Sequence, residues 1–194
     1  MTPERSRPIT AQERSWLDEW AQALTGRQLA GVRYRSAPCS RWPDGSSLSE
    51  IHEVDMDVIL VLNDGNTAVI SWAMDGLVEG LGLQIWTDSD AMTLRNDQTE
   101  VSATPEWRPL VGETVDAVGG AWHVPNEGCP DTLWAIRLSL SGGSSVAVGL
   151  GEVEDDVVQY QPDALVVLFG EAAARRYRAP ASVESAFGTT IAPR

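Results

Sequence analysis

The chain has 194 residues, 43% of them apolar, enough to bury the interior of one ordinary domain. It carries 28 acids against 14 basic residues, a formal net charge of −14, and such a surface repels nucleic-acid phosphates and anionic membranes. Every basic residue is Arg, so chemistry that needs a lysine (Schiff-base catalysis, pyridoxal attachment, Walker-type phosphate binding) is excluded.

The opening MTPERSRPIT has no apolar signal core, and no run approaches the roughly 18 apolar residues of a membrane span. A cytoplasmic protein is expected. Thr10-Ala11-Gln12-Glu13 reads as a capping box. The spacing of Trp16, Leu17, Trp20 and Leu24 then predicts a helix with one apolar stripe, stopped at Gly26, with both tryptophans in the core.

Beyond Gly26 the period changes to two. Leu29 to Ser36 predicts a strand with Val32 and Tyr34 on one face, followed by the turn-rich loop PCSRWPDGSS. Residues 51–62, IHEVDMDVILVL, read as one strand that turns at Asn63-Asp64-Gly65 and returns over Thr67 to Ala73. Residues 58–62 are apolar on both faces, as in a central strand covered on two sides. Leu77 to Trp86 predicts a further strand, and residues 87–105 a long connection holding a short one. Val115 to Val124, Leu133 to Leu140, Ser144 to Glu152 and Asp163 to Phe169 repeat the plan around a Ser-Gly-Gly turn at 141–143.

Superposing Gly65 on Gly143 places Val58, Leu60 and Leu62 on Ile136, Leu138 and Leu140, and Ile70 on Val148. That is the pattern of an internal duplication with halves of about 28–105 and 106–180, or of two ordinary hairpins that converged. A short helix over Gly170 to Arg178, stopped by Pro180, precedes a Ser/Thr/Ala-rich tail over 181–194 that is expected to be mobile. The fold class implied is α+β: one domain with an antiparallel twisted sheet of two hairpin-containing halves, the N-terminal helix packed on it and a short C-terminal helix. The stretches SWAMDGLVEGLG (71–82), GCPDTLWAIRL (128–138) and YQPDALVVLF (160–169) resemble an actinobacterial conserved protein family of unknown function, over roughly residues 50–180. The resemblance implies no activity, cofactor or catalytic residue.

The charge is polarised along the chain. Residues 42–174 hold three Arg against 23 acids, a net of −20, whereas residues 1–41 hold seven Arg against four acids. Within the central segment, Glu53, Asp55 and Asp57 would share one strand face at about 6.5–7 Å spacing, with His52 on the other. They read as a solvated or partner-facing row that also protects an edge, or as a metal or acid–base site. Glu152, Glu154, Asp155 and Asp156 follow the second hairpin as Asp75 and Glu79 follow the first, and pseudo-symmetry would bring both runs to one edge.

His123 and Cys129 form a conceivable nucleophile pair without a recognised signature. Cys39 and Cys129 make no disulfide framework, and the thiols are expected to be reduced. Trp42, Trp107 and Trp122 lie in or beside loops, either as interface anchors or tucked over the core. No metal or other cofactor is expected. These features imply a non-enzymatic acidic module, immunity-like or an accessory inhibitor, with Trp42 and the acids facing a basic protein partner. The alternatives are a small hydrolase or metal-dependent enzyme using paired carboxylates, and a sheet that binds a small ligand.

Overall fold

The structure, a computed structural model, describes residues 7–36, 50–87, 98–178 and 189–191. The fold is α+β, as the sequence predicts, but its strands form three sheets among the described residues.

A 3₁₀ turn (Ala11–Glu13) leads into α1 (Arg14–Leu24). The Glu13 carboxylate accepts from the Thr10 amide at 3.4 Å and from its hydroxyl at 3.2 Å, the reach-back half of a capping box. Gly26 ends the helix with φ +79°, a conformation glycine adopts without steric cost.

The first sheet is a meander of β1 (Leu29–Arg35), β3 (Asp57–Leu62), β4 (Thr67–Asp75) and β5 (Val78–Trp86) in the spatial order β5-β4-β3-β1, with β6 (Gln98–Glu100) added beyond β1. The second repeats that plan with β7 (Val115–His123), β8 (Thr132–Leu140), β9 (Ser145–Leu150) and β12 (Leu165–Phe169). There β14 (Thr189–Ile191) lies beyond β7, as β6 lies beyond β1. The sixth strand of this sheet is β2 (Ile51–Val54), which the chain sends out between β1 and β3 to pair antiparallel with β12. A third, small sheet joins β10 (Glu152–Glu154), β11 (Val157–Gln159) and β13 (Tyr177–Arg178).

The two central hairpins match in register. Val58 pairs with Ile70 and Ile136 with Val148. In the turns, Gly65 N–H donates to Leu62 O and Gly143 N–H to Leu140 O, with φ of +85° and +82°. Each is the three-residue hairpin loop whose left-handed third residue calls for glycine.

The two large sheets share one core. Val32, Tyr34, Val58, Leu60, Ile70 and Leu83 from the first lie in the same buried cluster as Ile136, Leu138, Val148 and Val167 from the second. Ile59, Val69 and Trp86 form a smaller cluster, so β3 is indeed buried on both faces. The outer edge of β5 is covered by the N-terminal segment. Ile9 N–H donates to Leu81 O, and Ile9 O accepts from Leu133 N–H of β8, joining the sheets. The indoles of Trp16 and Trp20 donate to Leu83 O and Gln84 O. These bonds satisfy backbone groups that an open edge would offer to another chain.

Four expectations are corrected. Residues 51–62 are two strands in two sheets, because the chain bends at Asp55-Met56. Trp16 is 52% exposed, whereas Trp20 is buried. The second helix, α2, spans only Gly170–Ala174, because Tyr177 and Arg178 are drawn into a parallel pairing with β11. Three residues of the tail, 189–191, add β14 to the second sheet.

Close packing fixes one glycine. A Cβ on Gly151 would meet Gln159 O at 2.8 Å and the Tyr177 ring at 3.0 Å, where β9 hands over to the small sheet. Gly151→Ala is expected to destabilise the protein by about 1–3 kcal/mol, the usual penalty of overpacking, read as a lowered urea midpoint with unchanged slope.

Candidate functional site

The acidic row expected on one strand face is dispersed. The Glu53 carboxylate, on β2, accepts from the Val153 amide of β10 at 2.5 Å. Asp55 sits in the bend, where its carbonyl accepts from the Trp72 indole at 2.6 Å. Asp57 opens β3, and its carboxylate is 1% exposed, 2.5 Å from Arg35 Nε on the neighbouring strand. Strand alternation presumes one continuous strand, and the bend removes that premise. Asp57 is therefore a buried ion-pair member, not part of a wet face.

The other acids sit on two hairpins. Asp75 is exposed beside the β4–β5 turn, and half-buried Glu79 accepts from the Tyr160 hydroxyl at 3.3 Å and the Asn126 amide at 3.4 Å. Tyr160 directly follows β11, so this bond ties the base of the β10–β11 hairpin to β5. Glu152, Glu154, Asp155 and Asp156 are all exposed on that hairpin. Asp155 and Asp156 hold φ of +48° and +65° in its two-residue turn, the left-handed pair a tight hairpin requires. Among the described residues, none of these four carboxylates is in an ion pair. Trp42 and Cys39 lie outside the described residues.

A polar constellation that sequence reasoning missed lies between the sheets. The Trp107 indole donates to the Tyr34 hydroxyl at 2.6 Å. The Tyr34 oxygen is 2.8 Å from His52 Nδ1, and His52 Nε2 is 3.1 Å from the Glu106 carboxylate. A carboxylate only accepts, so the proton of neutral His52 sits on Nε2, facing Glu106, which leaves Nδ1 to accept from the Tyr34 hydroxyl. The Phe169 ring packs edge-on against both His52 and Trp107, at 4.8 and 5.0 Å between centroids.

Burial pushes the Tyr34 phenol well above its ordinary pKa, with the charge of Glu106 adding to the rise against the Trp107 bond. Burial pushes the His52 imidazole down, and the nearby Glu106 carboxylate only partly opposes it. Both groups are thus neutral near pH 7, and Glu106, 20% exposed, is the chain's contact with water. The arrangement is a fixed polar clamp joining β1, β2 and the 101–112 connection. The inward faces of Tyr34 and His52 were legible in the alternation. Their meeting with a loop glutamate 54 residues beyond His52 was not.

His123 is buried against the rings of Tyr160 and Trp134, and Cys129 gives its thiol to Leu77 O at 3.4 Å instead of to His123. Burial pushes His123 down to about 4, against the opposing charge of Asp131. Trp107 is fully buried and Trp122 half-buried beneath the Arg14 guanidinium, so neither is an exposed anchor. Among the described residues, no group of three or more His, Cys, Asp or Glu is placed to hold a metal ion, and no helix is long and apolar enough to cross a membrane. No protein-family model, curated protein or solved structure matches the chain.

Two outcomes are expected. Arg35→Met leaves the Asp57 charge buried without its partner and should cost about 3 kcal/mol or more, measured by chemical denaturation. For His123, a folded-state pKa of about 4 lies below the ordinary 6.5, so the unfolded chain takes up the proton first on acidification. Its contribution, on the order of 3 kcal/mol, is present above about pH 6.5 and lost as pH falls toward about 4. The stability of His123→Gln should accordingly fall less steeply than that of the wild type between pH 6.5 and 5, a window above the ordinary carboxylate range.

Proposed function

We propose that the protein is a non-enzymatic acidic interaction module, immunity-like or an accessory inhibitor, that binds a basic protein surface. The observation that carries this reading is the β10–β11 hairpin. Four exposed carboxylates project there with no arginine in ion-pair range among the described residues. Two of them occupy the left-handed turn positions, and the second, Asp156, stands where glycine would fit at lower steric cost. At Asp156 charge is thus held where the backbone would favour glycine. The hydrogen bonds from Val153 to Glu53 and from Tyr160 to Glu79 anchor that hairpin to both large sheets, so the charges are presented on a fixed element. A partner carrying clustered Arg or Lys would gain charge-assisted contacts and faster association.

The test uses a partner captured from the native lysate and titrated over a range of salt. Affinity should fall steeply with salt and be lost near about 1 M, where the Debye length is about 3 Å. Substituting Glu152→Gln, Glu154→Gln, Asp155→Asn and Asp156→Asn together keeps a turn that Asn tolerates and should weaken binding by at least about tenfold. Full affinity at high salt and in the fourfold variant would overturn the reading.

A further inference from the structure

The β4–β5 hairpin turns through two residues, Gly76 and Leu77, with φ of +63° at Gly76 and no positive φ at Leu77. This is the hairpin turn that needs glycine first and places no apolar demand on its second position, where Asn, Ser or Thr serve as well. Leu77 nevertheless stands there 71% exposed, with Met74 on the same hairpin 48% exposed. Its backbone is held from the second half of the chain. Leu77 O accepts from the Asn126 amide at 2.8 Å and from the Cys129 thiol at 3.4 Å. The leucine is therefore presented on a turn closed by the Asp75–Val78 pair and held at its own carbonyl by two donors, with little backbone ordering entropy left to lose on binding.

Acids lie near it in the fold. Asp75 precedes the turn, Glu127 is exposed beside Asn126, and Glu79 pairs with Met74 one step from the turn. An apolar projection rimmed by carboxylates matches an apolar pocket rimmed by cations. It fits a second copy of this chain badly, since two bodies of net charge −14 repel. From this juxtaposition we infer that Leu77, supported by Met74, is the apolar anchor with which the protein docks into a pocket on a basic protein partner. The inference rests on the acidic-module reading and adds to it the residue that supplies salt-independent affinity. Burying a leucine is worth about 1.5–3 kcal/mol, or about ten- to a hundredfold in affinity.

Two probe peptides of equal length and charge test it, one alternating arginine with leucine and the other arginine with serine. The wild type should bind the Arg/Leu peptide at least about tenfold more tightly, by a margin that salt does not change. Leu77→Ser, which keeps the turn and should melt within a few degrees of the wild type, should abolish the margin and leave the salt dependence of both peptides intact. The fourfold hairpin variant should do the reverse, flattening the salt dependence and keeping the margin. Equal binding of the two peptides by the wild type overturns the anchor while leaving the acidic module standing. Absence of binding to either peptide overturns both. A concentration-dependent dimer that Leu77→Ser dissolves overturns the choice of a basic partner in favour of a second copy.

Discussion

The two large sheets depend on one crossing. Between Val54 and Asp57 the chain leaves the edge of the six-stranded sheet and enters the middle of the five-stranded one. Three contacts hold it there. Trp72 donates to the Asp55 carbonyl, Met56 N–H donates to Arg35 O, and the Asp57 carboxylate meets Arg35 Nε. A buried carboxylate is a poor source of net stability but strongly favours the arrangement in which its cation is present. Arg35 and Asp57 are also register partners, so shifting β3 against β1 by one residue would turn one of the two away. Once β2 has been delivered to β12, the His52 clamp forms and closes the same junction from its other side.

This crossing also explains what was legible in the sequence. The hairpins around Gly65 and Gly143, their register and the two-sided burial of β3 followed from alternation and turn chemistry, which are local. The split of 51–62 did not, because residue parity runs on through a bend. Glu53, Asp55 and Asp57 keep their two-residue spacing while their strands diverge. The β10–β11 hairpin was read as an acidic patch, since its turn is Asp-Asp where hairpins favour Asn-Gly or Asp-Gly. The three-residue strand β14, within the tail, carries too few side chains to express a period. The polar clamp was invisible for a further reason: its members come from two sheets and a connection, and only tertiary packing sets their distances.

The many tryptophans answer a related need. An indole buries a large apolar surface and brings a single donor. Trp16 and Trp20 spend that donor on the β5 edge, Trp72 on the inter-sheet bend and Trp107 on the Tyr34 hydroxyl. Each of these donors joins two elements that regular strand pairing does not connect. This is why Trp16 remains half-exposed: its indole serves the edge of a sheet and not the middle of the core. Spacing on a helix reports which face an indole occupies, but not whether that face meets a core or a border.

Folding redistributes the charge that the sequence polarises. The basic first segment is laid onto the first sheet, where Arg27 meets Asp64, Arg33 meets Glu100 and Arg35 meets Asp57. In the second half, Glu171 and Arg175 make an exposed contact on α2. Arg176, close by, gives a hydrogen bond to the Asp156 carbonyl, not to its carboxylate. Three ion pairs thus gather on the first sheet, whereas none of the four carboxylates of the β10–β11 hairpin is in one among the described residues. An acidic composition spread evenly would serve solubility alone. One that leaves four carboxylates outside ion pairs on a braced hairpin gives the molecule a local direction, and under the acidic-module reading it is this cluster, more than the total of −14, that a cationic partner would recognise.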